Sequence, residues 1–163
     1  MKVFIKNKFN LQGSSEVTNE AGEVVYTVEG KVVSLARKKT LVDKEGNVLY
    51  TIKNKLFNMF SHKVYVYDAE DNKVATIKKA KLSFNLNYKI LDCADEMELK
   101  GKFFSGQTEI YRNGEQAGLI LREGSFVTDK FSLEAEEKDI PFFTALVVAF
   151  DNLKDEQDRD KRR

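Results

Sequence analysis

Asp139-Ile-Pro-Phe-Phe-Thr-Ala-Leu-Val-Val-Ala-Phe150-Asp-Asn-Leu153 is the stretch that decides the architecture. Pro141 suits the first turn of a helix, where its missing N–H costs nothing, and Asp139 complements the positive end of the helix dipole. The run is also longer than an ordinary buried strand. These signals predict a helix over residues 140–153, despite the β-branched Val147 and Val148. On that helix Phe142, Phe143, Leu146, Val147, Val148 and Phe150 point to every side, so only apolar surroundings on all sides satisfy it. A curved antiparallel sheet closed around the helix meets that demand, and closure also removes exposed strand edges.

The residues before the helix read as the strands of such a sheet. One phrase recurs: Val17-Thr-Asn-Glu-Ala-Gly22-Glu-Val-Val-Tyr26-Thr-Val28, then Val42-Asp-Lys-Glu-Gly46-Asn-Val-Leu-Tyr50-Thr-Ile52, and more loosely Tyr67-Asp-Ala-Glu-Asp-Asn72-Lys-Val74-Ala-Thr-Ile77. Each copy is a polar Asp/Asn/Gly turn between β-rich flanks, which is how a hairpin reads. Ile110-Tyr-Arg-Asn113-Gly114-Glu-Gln-Ala-Gly-Leu119-Ile120 adds a fourth around Asn-Gly itself. Because the period decays along the chain, the pattern predicts a meander of hairpins and not a solenoid. Strict alternation at Leu82-Ser-Phe84-Asn-Leu86-Asn-Tyr88-Lys-Ile90 predicts a strand with one buried and one wet face. Weaker alternation marks Val64-Tyr-Val66-Tyr, Met97-Glu-Leu99-Lys and Phe131-Ser-Leu133-Glu-Ala135.

With 163 residues, 42% apolar and 33% charged, the chain fits one domain and is too apolar for wholesale disorder. The reading places a barrel domain over residues 1–153 and a charged tail over residues 154–163. The formal net charge of +1 hides a gradient, since residues 1–89 carry +7 and residues 90–163 carry −6. A single cysteine, Cys93, cannot form an internal disulfide, and Met-Lys-Val-Phe-Ile-Lys-Asn-Lys-Phe lacks the long apolar core of a secretory signal. A reducing, cytoplasmic compartment is the expectation. The longest apolar stretch, residues 140–150, is about half of the roughly 20 residues a bilayer span needs, so no transmembrane segment is expected.

Three stretches carry a family resemblance: Lys55-Leu-Phe57 through His62-Lys63-Val-Tyr-Val-Tyr-Asp68, Leu99-Lys-Gly101-Lys-Phe103 with Ile110-Tyr-Arg-Asn-Gly114, and Asp129-Lys-Phe-Ser-Leu133 followed by Ala145-Leu-Val-Val-Ala-Phe-Asp151. Across residues 1–153 the chain resembles the tubby C-terminal-like superfamily, specifically its LURP-one-related group. The resemblance implies a mainly β fold, a closed antiparallel barrel of about twelve strands around a central hydrophobic C-terminal α-helix. Tubby-like proteins recognise phosphoinositides, and the related scramblases act at membranes. This chain lacks the scramblase membrane helix and Pro-rich arm, and no phosphoinositide motif matches residue by residue.

The sharpest local feature is a pair of acid-free basic stretches, one holding Lys53, Lys55, His62 and Lys63 and the other Lys73, Lys78, Lys79, Lys81 and Lys89. If these segments are neighbours in the sheet, Lys53, Lys55, Lys63, Lys78, Lys79 and Lys81 form an anion-binding face, with Phe57, Met59 and Phe60 as an apolar wedge beside it. A basic face next to apolar residues suits anionic lipid headgroups. The expectation is a non-catalytic binding or scaffold module, cytoplasmic or peripheral to a membrane; the alternative is a regulatory barrel that engages a protein partner without lipid. No cofactor and no catalytic residue is assigned. His62 is the only histidine, so zinc lacks ligands. The glycines are isolated turn markers, not a phosphate loop. Helix-turn-helix patterning, zinc-finger spacing and an aromatic-Gly RNA motif are missing, which argues against nucleic acid. The acidic clusters Asp92, Asp95, Glu96, Glu98 and Glu134, Glu136, Glu137, Asp139 read as solvated faces, and Cys93 as an inert thiol.

Overall fold

A computed structural model describes residues 1–7, 14–30, 36–56, 62–79, 88–101, 106–124 and 129–160, with backbone alone for Asn7, Lys79, Glu123, Gly124, Asp129 and residues 154–160. Twelve strands precede one long helix: β1 Lys2–Asn7, β2 Ser15–Asn19, β3 Val24–Gly30, β4 Lys39–Val42, β5 Val48–Asn54, β6 Lys63–Tyr67, β7 Lys73–Lys79, β8 Tyr88–Leu91, β9 Met97–Gly101, β10 Gln107–Arg112, β11 Glu115–Gly124, β12 Asp129–Ala135 and, after a 3-10 turn at Glu137–Asp139, α1 Ile140–Asp160. The strands form one antiparallel sheet in the order β8-β7-β6-β5-β4-β3-β2-β1-β12-β11-β10-β9. Neighbours in sequence are neighbours in space, and β1 joins β12, so the sheet bends into a nearly closed barrel. Its seam lies between β8 and β9, which are not laddered to each other.

The repeated phrase builds the same turn three times. Asn19, Asp43 and Asp68 each accept, through Oδ1, the N–H of the residue four positions on, at 3.0, 2.8 and 2.8 Å. Each also donates its own N–H to that residue's carbonyl. The position before the end of the turn needs positive φ, and Gly22, Gly46 and Asp71 supply it at 82°, 85° and 63°. The fourth hairpin turns through Asn113 and Gly114, both at positive φ, the geometry that Asn-Gly favours.

Every residue of α1 from Phe143 to Leu153 is buried, so the helix is enclosed as its all-round apolar surface requires. The helical backbone continues through Asp160, into the segment read as a charged tail. Of the alternating stretch 82–90, residues 82–87 lie outside the described residues; from Tyr88 the alternation holds, with Tyr88 and Ile90 buried and Lys89 exposed.

Two polar fastenings fix the helix in the barrel. At its start Arg112 Nη2 and Nη1 donate to Asp139 Oδ1 and Oδ2 at 2.7 and 3.0 Å. Asp139 is buried, not solvated. Further along, Lys39 pairs with Asp151 at 3.4 Å, and the Asn152 amide donates to the Arg37 carbonyl at 3.2 Å. Phe143 meets β11 where Gly118 leaves room for it: a Cβ there would stand 3.0 Å from the ring and 3.3 Å from the Glu134 carbonyl. Gly118→Val is therefore expected to cost about 1–3 kcal/mol by overpacking, read as a Tm several degrees lower, with Gly118→Ala milder. An unchanged Tm for Gly118→Val would show that the ring has space to move.

Candidate anion-binding face

The basic stretches do become neighbours. β5, β6, β7 and β8 are consecutive in the sheet, and register places Lys63 opposite Lys78 and Lys78 opposite Lys89. One step past the β5–β6 ladder, the Lys55 N–H donates to the Lys63 carbonyl at 2.9 Å, which adds Lys55 to the same row. Directly opposed residues share a face, and the adjacent positions Asn54, Val64, Ile77 and Ile90 are buried. Lys55, Lys63, Lys78 and Lys89 therefore form one row on the outer wall. At about 4.8 Å per strand, its Cα atoms span roughly 15 Å. Lys55 and Lys89 are exposed and Lys63 and Lys78 half-buried; none of the four has a carboxylate within ion-pair distance among the described residues. Like charges set directly opposite one another destabilise a sheet, so an anion laid along the row relieves a repulsion the fold otherwise carries. Leu56, 48% exposed, adds an apolar side chain beside it.

The other expected residues fall differently. Lys53 lies on β5 one row away, 3.7 Å from Asp71 and over the Tyr67 ring at 4.7 Å, so its charge is partly occupied. Lys79 pairs in register with Tyr88, and its side chain is outside the described residues. Lys81, Phe57, Met59 and Phe60 are outside them entirely. Lys89 completes the row although it was not among the six residues first expected to form the face. Lys73 turns away to Asp92 at 3.0 Å. The Thr76 hydroxyl donates to the same carboxylate at 2.6 Å, and these two bonds, with the charges of Lys73 and Lys63, hold Asp92 below the usual carboxylate range.

A recess of about 460 Å³ opens at the seam, lined by Lys73, Asp92, Cys93, Asp95, Arg112 and Phe142 among others. Its size would suit a small ligand, but its charges answer one another. Lys73 is taken by Asp92, and Arg112 by Asp139 and, at 3.6 Å, by Asp95. Burial, followed by the nearby Asp92 and Asp95, pushes the Cys93 thiol up to about 11. The thiolate is the reactive form, so at pH 8 Cys93 holds about a hundredfold less of it than a thiol near 9. Iodoacetamide is expected to label it correspondingly slowly, accelerating up to about pH 11; labelling at the rate of an exposed peptide thiol would contradict this. Among the described residues no group of three or more His, Cys, Asp or Glu is placed to hold a metal ion, and no helix is long and apolar enough to cross a membrane.

A nearly closed twelve-stranded antiparallel barrel with an enclosed C-terminal helix is consistent with the tubby-like class of folds. Residues 1–151 match the LURP-one-related family, and the chain belongs to it. Its fold is similar to that of a protein from Arabidopsis thaliana known from an X-ray structure, with a TM-score of 0.65 and 18% identity over 94% of this chain and 91% of that one. No curated protein matches it.

Proposed function

We propose that this barrel is a non-catalytic, cytoplasmic binding module that attaches peripherally to anionic phospholipid through Lys53, Lys55, Lys63, Lys78, Lys79 and Lys81, with Lys89 joining them. The observation that carries the reading is the cross-strand row of Lys55, Lys63, Lys78 and Lys89, none of which has a carboxylate within ion-pair distance among the described residues. Lysine is a compact, hydrated point charge, better suited to a field of headgroups than to bidentate recognition of a single phosphate. Near a charged bilayer each lysine contributes about 1 kcal/mol, so four amount to roughly three orders of magnitude in affinity. Reversing all four to Glu is expected to abolish co-sedimentation with phosphatidylserine vesicles. The Tm should fall little or rise, because wall positions facing water tolerate substitution and the reversed row is no more repulsive than the native one. Retained vesicle binding by a folded variant would sink the lipid reading. If the wild type itself ignores anionic vesicles at low salt, a protein partner becomes the leading occupant of the barrel wall.

A further inference from the structure

The wall that carries the lysine row also carries negative charge of its own. Leu91 pairs in register with Thr76, two residues along the strands from Lys89 and Lys78, and Asp92 follows Leu91 at a positive φ of 63°. Its carboxylate turns back onto the wall, where Oδ2 accepts the Thr76 hydroxyl at 2.6 Å and lies 3.0 Å from the Lys73 ammonium. Thr76 and Lys78 share a face of β7 and, at 3.3 Å per residue, stand about 7 Å apart. That is about one screening length at physiological ionic strength, so the carboxylate and the row act on the same headgroups. Lys63, a member of the row, is close enough to join Lys73 in lowering the Asp92 pKa.

Neither the backbone nor the hydrogen bond at this position requires a carboxylate. Asn enters the left-handed region as readily as Asp does, and Asn113 holds such a φ, 52°, at another turn. An amide carbonyl accepts a hydroxyl as well as a carboxylate oxygen can. What Asp92 adds over an amide is negative charge, placed beside a row of lysines. A looser pair of the same kind holds Lys53, 3.7 Å from an Asp71 carboxylate that is 77% exposed.

Resting on the lipid reading above, we propose that Asp92 is a specificity-determining residue of the lysine face. It is a built-in counter-charge that occupies Lys73, repels headgroups beside the row, and so sets how dense in anionic lipid a bilayer must be before the barrel binds it. One elementary charge near an anionic surface is worth about fivefold in affinity. Removing the Asp92 charge therefore shifts binding toward less densely charged surfaces.

The test compares wild type, Asp92→Asn and Glu20→Gln by co-sedimentation with vesicles of phosphatidylserine diluted in phosphatidylcholine, over a series of compositions. Glu20→Gln changes the net charge equally, but it lies in the 19–23 turn, at the end of the sheet where β5 begins, while the row lies where β5 finishes, roughly 20 Å away. Asp92→Asn is expected to bind about fivefold more tightly and to reach half-maximal binding at a lower phosphatidylserine fraction. Glu20→Gln should stay within about twofold of wild type, its charge being screened from the headgroups. Adding Lys73→Gln to Asp92→Asn should return the affinity to about that of wild type. Asp92→Gly, which also suits the positive φ, is expected to tighten binding as Asp92→Asn does. No tightening by either Asp92 variant, or equal tightening by Glu20→Gln, overturns the counter-charge while leaving lipid binding intact. Release from the vesicles by inorganic phosphate at matched ionic strength would replace the bilayer with a soluble anion. No co-sedimentation of wild type or of Asp92→Asn with pure phosphatidylserine vesicles at low salt defeats the underlying lipid reading instead.

Discussion

Phe150→Asp is expected to yield no folded protein. Phe150 is fully buried on the enclosed helix, with the Tyr88 ring edge-on to it at 5.2 Å. Truncating a buried Phe costs about 3–5 kcal/mol, and an unpaired carboxylate in an apolar interior adds several more. Together these match the whole stability of a typical domain, about 5–15 kcal/mol. Phe150→Leu, which keeps most of the volume, is expected to fold with a loss of about 1–2 kcal/mol. Circular dichroism and thermal melts of the two variants separate the cases. A soluble Phe150→Asp with an unchanged Tm would mean that the helix is not enclosed.

Arg112→Met is expected to lower stability by about 2–4 kcal/mol, because it leaves the buried Asp139 carboxylate without its fork of two donors. The guanidinium also lies 5.3 Å over the Phe143 ring, so the loss reaches the first turn of the helix. Arg112→Lys should recover only part of it, since an ammonium cannot make both parallel bonds. Removing the carboxylate as well, in Arg112→Met with Asp139→Leu, should restore much of the stability. Denaturant melts of the three variants check this; a double variant no better than Arg112→Met alone would assign the loss to packing against Phe143.

Features that repeat in sequence were legible before the fold was seen. Pro141 and an apolar surface without a polar side announced an enclosed helix, and three Asx turns announced three hairpins. Features that depend on exact register were not. Counting outward from the 68–72 turn without interruption would set Lys63 opposite Ile77, and a bulge between Val66 and Tyr67 shifts the pairing by one so that it meets Lys78. The same bulge stands beside the 19–23 and 43–47 turns, so it goes with the repeated phrase, and a strict alternation count that leaves it out hides the row. The fastenings were hidden for a related reason. Asp139 looked like a dipole partner on a solvated face, and nothing singled out Asp151 or Asn152; their partners Arg112, Lys39 and Arg37 are remote in sequence. The seam was also unreadable, since the alternation in β8 and β9 is that of laddered strands, yet the two are not joined.

Wild-type co-sedimentation with phosphatidylserine vesicles and with neutral phosphatidylcholine vesicles, each at low and at physiological salt, bears most directly on the lysine row. Exposed charges are screened by salt, so binding should be strong to anionic vesicles at low salt, fall steeply at physiological salt, and be near background on neutral vesicles throughout. Equal binding to both vesicle types, or none to anionic vesicles at low salt, would contradict attachment through Lys55, Lys63, Lys78 and Lys89.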